Sequence, residues 1–484
     1  MRAFVEVRRG AYHDSVTLMR VSRRVGELDG VAGAMAAMAT GLNLEMLGRM
    51  GFEVPEAAGP ADLVVAIRAE EGALGAARAA LDGLLRESRT DTGAAGPDAA
   101  APARTTGAAA RRAGARAGGG TGASVALVSV PGPHAFPEAM DALEAGLNVM
   151  VFSDNVPLEQ EIALKDAAAR LGLIVMGPDC GTALVGGAGL GFANAVRPGP
   201  VGLVAASGTG AQQVACLLDA ADAGVSHVLG VGGRDLSLEV SGRSALAALA
   251  ALDADPATEL VMVVAKPPAP QVADLIREAA RRLDTPVEFA FVGAGDDLTR
   301  ATERALRRLG RTPPAWAAGH AEHAPLPGPG TVRGLFAGGT LCAEAAAVLR
   351  AELGGDLAAG GHSLTDYGDD AYTRGRAHPM IDPTLRLAAI EERAGTPDPG
   401  VLLIDVVLGY GADPDPGGPL SGLLRAVLRA NPNLRAVVSL CGTRRDPQGF
   451  DRHMAGLLDA GASVFLSNAQ AARFAAKLAK GPHG

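Results

Sequence analysis

Two glycine-rich turns, each between a predicted strand and a predicted helix, hold the residues of this chain best suited to binding an anion. The first turn has the sequence SGTG and the second the sequence GGT. The first amide groups of a helix lack partners within it, and the helix dipole favours negative charge there. A phosphate, an acyl phosphate or a carboxylate would fit, whereas the alternative is an ordinary serine N-cap on a core helix. The predicted phosphate- or acyl-binding residues are Ser207, Gly208, Thr209 and Gly210 in the first turn and Gly338, Gly339 and Thr340 in the second.

A third glycine-rich segment, GVGGRDLS, also follows a predicted strand. Glycines at the carboxyl end of a strand, followed by an arginine and an aspartate, fit a ligand crevice at the edge of a sheet. We therefore predict that the phosphate or acyl group is also bound by Gly232, Gly233, Arg234 and Asp235.

The segment MGPDCGTA contains a turn that follows a further strand. Pro178 shapes this turn, and the side chain of Asp179 can bond to its own backbone. Cys180 is a candidate nucleophile, but no partner base is identifiable, and a buried structural thiol is the favoured interpretation.

Near the carboxyl terminus, the segment AHPMIDPTLR places His378, Asp382 and Arg386 within nine residues. A histidine, an aspartate and an arginine on neighbouring loops suit the binding and transfer of an acyl or phosphoryl group. We predict these three residues as the catalytic group, with His378 as the candidate for phosphorylation or for the general base. Turn formation by the Asp-Pro dipeptide and a solvated arginine are the alternatives.

Composition excludes several classes of protein. The net charge is −9 and aromatic residues make up 3%, which disfavours a nucleic-acid partner. The four cysteines lie far apart with no C-x-x-C pair, so no metal or redox site is predicted. The chain has neither a run of 18 apolar residues nor an apolar segment of the secretory type near its start. We therefore expect a cytoplasmic protein that has no membrane partner.

Strands and helices alternate along most of the sequence, which predicts an α/β protein built from βαβ units. In the N-terminal unit, Phe4–Arg8 and Leu63–Ile67 are predicted strands, and Asp14–Gly26 and Gly30–Met50 are predicted helices. No large apolar residue occurs between Ser88 and Ser124, which favours a disordered linker. The predicted domains are residues 1–87, a small α/β unit; 88–123, a linker; 124–196, a Rossmann-like domain; 197–311 and 331–480, two further α/β domains; and 312–330, a second linker.

The last two domains look like a duplication. GLFAGGTLCAEAAAVL, from Gly334 to Leu349, parallels GLVAASGTGAQQVACLL, from Gly202 to Leu218, with a one-residue gap. Both stretches predict a strand, a loop with a Gly-Thr pair and a helix. Two such loops from related domains predict a pair of opposed anion-binding helix ends.

These motifs carry a resemblance to a known family. The series VSVPGPHAF, AGLNVMVFSDNVP, LIVMGPDCGTA, VGLVAASGTG and GVGGRDL resembles the α subunit of succinyl-CoA ligase over about residues 124–295. With DSVTLMRVS, LFAGGTLCAEA, HPMIDPTLR and DVVLGYGADPDP, the whole chain resembles the FdrA family of the acyl-CoA synthetase (NDP-forming) superfamily.

The resemblance implies a partial CoA-binding-type Rossmann-like domain followed by two flavodoxin-like, ligase-type domains. It implies that Ser207–Gly210 matches the loop whose helix points at a phosphohistidine in the ligase. It also implies that Pro178, Asp179 and Cys180 border the CoA and acyl site. Other protein subunits are the expected partners.

Two departures from the ligase pattern separate the functional hypotheses. The ligase's G-H-A-G-A phosphohistidine loop corresponds to Phe291–Asp297, which here reads FVGAGDD without histidine. The N-terminal unit and the linker stand in place of the first half of the usual CoA-binding domain. No ATP-grasp region is recognisable in the sequence.

FdrA-like proteins are linked to oxamate carbamoyltransferase in allantoin breakdown, which converts oxalurate and phosphate into oxamate and carbamoyl phosphate. The main hypothesis is therefore a subunit of that transferase, with phosphate or carbamoyl phosphate as substrate and no certain cofactor. The alternatives are an acyl-CoA synthetase that uses CoA and a phosphoryl intermediate, with His378 as the phosphate carrier, and a non-catalytic binding subunit.

Overall fold

The computed structural model describes residues 1–11, 13–53, 58–90, 103–114, 123–293, 295–322, 326–395 and 399–481, with only the backbone for 88–90. The chain divides into two compact units. The smaller unit comprises Met1–Ala101 and Tyr367–Leu385, and the larger comprises Pro102–Asp366 and Arg386–Gly484. No helix among the described residues is long and apolar enough to cross a membrane.

The N-terminal part of the smaller unit is an antiparallel sheet with helices. Its elements are β1 (Arg2–Arg8), α1 (Ser15–Gly26), β2 (Val31–Met38), α2 (Gly41–Arg49), β3 (Leu63–Ala69) and α3 (Leu74–Thr90). The strand order is β1-β3-β2. The carboxylate of Asp14 caps α1 by accepting a hydrogen bond from the amide of Thr17 at 2.8 Å.

One helix prediction in this unit was wrong. The segment Gly30–Met50 is not a single helix, because its first half forms β2 and only its second half forms α2. The alanine-rich sequence VAGAMAAM has a high helix propensity, but its residues pair along β3 in antiparallel register. Tertiary pairing has overridden local propensity here.

The next part of the chain contains α4 (Thr106–Arg112), β4 (Val125–Val128), α5 (Gly132–Glu144), β5 (Asn148–Val151), α6 (Leu158–Leu171) and β6 (Val175–Met176). The three strands form a parallel sheet in the order β4-β5-β6. This is the Rossmann-like arrangement of βαβ units that the sequence predicted.

Both predicted linkers contain ordered structure. Helix α4 lies within residues 88–123, and its Ala110 is buried in the core that includes α5; residues 91–102 and 115–122 lie outside the described residues. Small side chains can pack closely there, so a helix forms without large apolar residues. In the second predicted linker, Trp316 is buried and its Nε1 donates a 3.0 Å hydrogen bond to Glu303.

The first ligase-type region supplies β7 (Thr182–Val185), β8 (Ala188–Gly191), β9 (Pro198–Ala205), α7 (Gly208–Ala220), β10 (Val225–Gly230), α8 (Arg243–Asp253), β11 (Leu260–Ala265), α9 (Pro270–Ala280), β12 (Val287–Phe291) and α10 (Leu298–Arg308). These strands form a sheet in the order β12-β11-β9-β10-β7-β8. The strands β9 to β12 are parallel, and the hairpin of β7 and β8 adds an antiparallel edge.

The last region begins with β13 (Ala318–Gly319), β14 (Thr331–Phe336), α11 (Gly339–Leu353), β15 (Ser363–Asp366), α12 (Asp370–Thr373) and α13 (Thr384–Glu391). After a 3-10 turn at Glu392–Gly395 it continues with β16 (Gly400–Val407), α14 (Gly418–Ala430), β17 (Leu434–Cys441), α15 (Phe450–Asp459), β18 (Ala462–Phe465) and α16 (Asn468–Lys480). Its sheet has the order β13-β18-β17-β16-β14-β15.

Both large sheets follow the same winding. In each, the first parallel strand lies between the second and the third, as in the flavodoxin-like fold. Ligands of such sheets bind outside the carboxyl ends of the first and third strands, where the strand order reverses. The α/β fold class, with flavodoxin-like sheets, is therefore confirmed, and the shared winding supports the predicted duplication.

Candidate functional site

The two predicted anion-binding turns meet each other. Ser207 is the N-cap of α7, and its Oγ accepts a 2.9 Å hydrogen bond from the amide of Gly210. The same hydroxyl donates to Oγ1 of Thr340, in the first turn of α11, at 2.6 Å. The amino ends of α7 and α11, one from each large sheet, therefore lie side by side.

Glycine is required at this junction because the turns pack so closely. A Cβ atom on Gly338 would lie 2.9 Å from Oγ1 of Thr209, and one on Gly210 would lie 3.1 Å from Cγ2 of Thr340. We expected these glycines to admit a ligand, but at Gly210 and Gly338 the opposite turn occupies that space. Gly208 and Gly339 are only half-buried, as are Ser207 and Thr209, so these residues form the open face of the junction.

A buried ion pair supports the second turn from below. The carboxylate of Asp405, in β16, accepts hydrogen bonds of 2.7 Å from the amides of both Ala337 and Gly338. Arg386 donates to the same carboxylate at 2.5 Å, and both side chains are buried. Arg386 therefore positions the turn through Asp405.

The sequence grouped Arg386 with His378 and Asp382, but the structure distributes the three residues between the two units. His378 and Asp382 belong to the smaller unit, and Arg386 belongs to the larger one. Nδ1 of His378 accepts a 3.2 Å hydrogen bond from the amide of Met380. The carboxylate of Asp382 forms a 2.9 Å ion pair with Arg376. The predicted catalytic residues therefore have separate structural partners.

In the GVGGRDLS segment, the four predicted residues differ in their exposure. Asp235 is fully buried, and its carboxylate accepts hydrogen bonds from the amides at the start of α8, Ser244 at 3.0 Å and Ala245 at 2.9 Å. Gly232 is also buried, whereas Gly233 and Arg234 are exposed. Asp235 was predicted to bind the ligand, but its carboxylate holds the loop on α8 instead.

Sequence reasoning missed the ammonium group that pairs with Asp235. Nζ of Lys165, in α6, lies 2.7 Å from Asp235 and 2.7 Å from Glu161, and all three side chains are almost completely buried. The cluster joins the Rossmann-like helix α6 to the loop after β10. A Glu and a Lys four residues apart on one helix were visible in the sequence, but such pairs are usually exposed.

The segment Pro178–Cys180 packs against this same loop. A Cβ atom on Gly232 would lie 2.3 Å from the carbonyl oxygen of Pro178, so only glycine fits there. Burial raises the pKa of the Cys180 thiol to about 12. Because a thiol with that pKa stays protonated near neutral pH, Cys180 is a structural residue and not an activated nucleophile. Asp179 is exposed beside it.

The loop from β12 to α10 has no histidine, and its carboxylates are paired with arginines. Asp296 forms a 2.6 Å ion pair with Arg304. Asp297 caps α10 by accepting from the amide of Arg300 at 2.8 Å, and it also bonds to Arg473. Neither carboxylate is poised as a nucleophile.

One cavity lies away from the paired turns. It has a volume of about 640 Å³ and is lined by residues that include Val225, His227 and Arg311. Since Val225 and His227 belong to the start of β10, this cavity lies at the amino end of the first large sheet. It does not coincide with the paired helix ends.

The second of the two flavodoxin-like sheets, whose first helices meet at their amino ends, lies in the part of the chain that matches a ligase-type family model. Residues 335–478 match the CoA-ligase family model, and residues 1–102 match the model described as AllF, heavy metal-associated domain. The chain is 36% identical to the uncharacterized protein YahF of Escherichia coli (strain K12), over 97% of each chain. It therefore belongs to the same family as YahF.

More distant similarities are consistent with this class. The chain is 27% identical to succinate–CoA ligase [ADP-forming] subunit alpha 2 of Archaeoglobus fulgidus, over 40% of this chain and 74% of that one. The structure of the dinucleotide forming acetyl-coenzyme A synthetase 1 of Ca. Korarchaeum cryptofilum matches this one with a TM-score of 0.28 and 16% sequence identity. The match covers 73% of this chain and 82% of that one. That score is too low to carry an argument. The other matches support the acyl-CoA synthetase (NDP-forming) superfamily.

The residues present do not fit the metal that the name of the N-terminal family model suggests. Soft metal ions select thiolate ligands, and residues 1–102 contain no cysteine. Within the described ranges, no group of three or more His, Cys, Asp or Glu residues could hold a metal ion.

Proposed function

We propose that this chain is a subunit of an acyl-CoA synthetase-like enzyme and binds the phosphoryl end of an acyl phosphate at the paired amino ends of α7 and α11. The observation that carries the proposal is the 2.6 Å hydrogen bond between Ser207 and Thr340, because it brings two helix dipoles to one place. A phosphoryl group carries the negative charge that such dipoles favour.

Each turn contributes a different set of donors. Ser207 and Asp405 already accept the amides of Gly210 and Gly338, respectively. The amides of Gly208 and Thr209 in the first turn, and of Gly339 in the second, precede the intrahelical hydrogen bonds of their helices. These amides, with the hydroxyl of Thr209, are the proposed phosphoryl donors.

CoA is the proposed second substrate, as the CoA-ligase match and the succinate–CoA ligase relative suggest. The exposed residues Asp179, Gly233 and Arg234, at the carboxyl ends of β6 and β10, would border it. CoA supplies a thiol that accepts an acyl group. The protein's own part is to hold the phosphoryl group in place.

A second candidate function is carbamoyl transfer, in which the chain is a subunit of an oxamate carbamoyltransferase of the FdrA type. The observation that favours it is the absence of histidine from Phe291–Asp297. Carbamoyl phosphate is itself an acyl phosphate, so the same paired helix ends would bind it. The similarity to the CoA-ligase model and to the succinate–CoA ligase subunit gives more support to the synthetase.

His378 is the proposed phosphate carrier only in the synthetase hypothesis, and its geometry is unfavourable for that role. Nδ1 of His378 accepts the amide of Met380 at 3.2 Å, so the lone pair of that nitrogen is already engaged and is not available to a phosphoryl group. A non-catalytic binding subunit is the remaining alternative.

The deciding experiment is calorimetric titration of the purified chain with CoA and, separately, with carbamoyl phosphate. It is repeated with any co-purifying subunits, because partners complete the site in the proposed enzyme. Binding of CoA supports the synthetase. Binding of carbamoyl phosphate without CoA supports the transferase, and binding of neither ligand in any preparation contradicts both.

A further inference from the structure

Lys266 lies at the paired helix ends, although no sequence motif pointed to it. It is the first residue after β11, and β11 lies next to β9 in the first large sheet. Ser207 follows β9 by two residues, so Ser207 and Lys266 stand at the carboxyl ends of the two strands between which the strand order reverses. Crevices at such points are where sheets of this class bind ligands.

The ammonium group of Lys266 is directed toward the first turn of α11. Its Nζ lies 3.2 Å from the position that a Cβ atom on Gly339 would take. Gly339 is the first residue of α11. The positive charge of the lysine and the positive end of the helix dipole therefore act at the same place.

The electrostatics of a neighbouring thiol agree with this placement. Burial, together with the smaller effects of the carboxylates of Asp366 and Asp405, raises the pKa of the Cys342 thiol to about 12. Lys266 acts in the opposite direction and lowers that pKa. The positive charge of Lys266 therefore acts on the thiol of Cys342, in the first turn of α11.

Asp366 brings a negative charge to the same position. Its carboxylate also lies close to where a Cβ atom on Gly339 would be. A phosphoryl dianion that approached the helix ends would be repelled by this carboxylate unless a cation offset the repulsion. Lys266 is the cation placed to do so.

The use of lysine at this position is unusual for the chain. The sequence contains 44 lysines and arginines, and the lysines are only Lys165, Lys266, Lys477 and Lys480. Lys165 forms ion pairs with two buried carboxylates. Lys477 and Lys480 lie in the last turn of α16. A lysine delivers one compact charge on a flexible stem, whereas an arginine presents a wider planar fork.

We propose that Lys266 binds the phosphoryl oxygens of the ligand at the paired helix ends and makes the site prefer a phosphoryl dianion to a carboxylate. The proposal rests on the proposed function, because it assumes that the acyl phosphate binds at these helix ends. In this proposal Lys266 contacts the phosphoryl group directly, and the carboxylate of Asp366 repels it.

The test is calorimetric titration of the full chain with inorganic phosphate and with acetate. Lys266→Met should weaken phosphate binding by about tenfold or more and change acetate binding less, because a dianion interacts more strongly with the lost charge. Lys266→Arg should retain part of the affinity. Lys477→Met, which removes an exposed lysine on α16, is the matched control and should bind phosphate as the wild type does.

Asp366→Asn separates direct binding from a structural role. If Lys266 contacts the anion, removing the nearby carboxylate should strengthen phosphate binding while Lys266→Met weakens it. Weaker binding in both variants would indicate a structural arrangement of the two side chains and would overturn the proposal. Thermal midpoints of all variants show whether each has folded.

The failure of this inference differs from the failure of the proposed function. Unchanged phosphate affinity in Lys266→Met, with affinity lost in Thr209→Val, would keep the site and remove Lys266 from it. A wild-type chain that binds no phosphate, alone or with its partners, would overturn the proposed function and the role of Lys266 together.

Discussion

The hydroxyl of Ser207 and the hydroxyl of Thr340 form a 2.6 Å hydrogen bond across 133 residues of sequence. Ser207 is the N-cap of the first helix of one flavodoxin-like sheet, and Thr340 lies in the first turn of the corresponding helix of the other, whose N-cap is Gly338. Because of this contact, the positive ends of the dipoles of α7 and α11 lie side by side. It is the physical basis for placing the phosphoryl group there.

Thr209→Val should weaken binding of carbamoyl phosphate or inorganic phosphate by roughly tenfold or more, as expected for the loss of one hydrogen bond to a charged group. Valine keeps the shape of threonine, so packing against Gly338 should survive. Thr331→Val, at the opposite end of β14, is the matched control. Calorimetry gives the affinities, and equal affinity in both variants would remove the first turn from the site.

Arg386→Met should destabilise the protein, because the carboxylate of Asp405 would stay buried without its partner. Breaking a buried ion pair in this way costs roughly 3–5 kcal/mol. We expect a lower thermal midpoint together with weaker phosphate binding, since Asp405 orients the amides of Ala337 and Gly338. Arg350→Met, an exposed change on α11, is the control. Normal stability with lost turnover would instead indicate a catalytic arginine.

Lys165→Met should be among the most destabilising single changes in the larger unit. It would leave Asp235 buried without a cation and Glu161 with Arg234 as its partner at 2.8 Å, at a cost of roughly 3–5 kcal/mol. Adding Glu161→Gln should recover part of the loss, because the cluster then holds one carboxylate and one cation instead of two carboxylates and one cation. Thermal unfolding of the two variants, with Lys480→Met as control, measures the difference; no recovery in the double variant would argue against the charge explanation.

Glu344, on α11, should make stability depend on pH. Burial raises its pKa to about 7, despite hydrogen bonds from Asn468 and from the amide of Leu298 that lower it. A carboxyl group whose pKa is raised on folding contributes stability below its unfolded pKa of about 4.3 and loses that contribution as pH rises to about 7. The loss amounts to about 3–4 kcal/mol over this window.

The measurement compares thermal midpoints at pH 5.5 and pH 8 in the wild type and in Glu344→Gln. The drop in midpoint between the two pH values should be smaller in the variant, whatever its absolute stability. Other groups, such as Asp446, whose pKa burial also raises, contribute equally to both proteins. An equal drop in both proteins would show that Glu344 does not titrate in this range.

The sequence alone determined the features that depend on neighbours along the chain. Alternation of short apolar strands and helices specified the α/β class, and Ser207 and Asp14 were recognisable as helix starts, because capping is a contact over three residues. The similarity of the two strand-loop-helix segments pointed to paired domains. The resemblance identified the superfamily from motifs of the same local kind.

Only the tertiary structure decided which polar groups face a ligand and which are used inside the protein. Asp235 and Arg386 are residue types that often bind ligands. In this structure they form buried ion pairs with Lys165 and Asp405, which come from distant segments of the chain. The alanine-rich segment of β2 became a strand because β3 offered it a ladder of hydrogen bonds. Lys266 lies at the helix ends because β11, which it follows, pairs with β9 in the sheet. Each of these outcomes depends on contacts between remote parts of the chain, and local spacing carries no information about which remote partners meet.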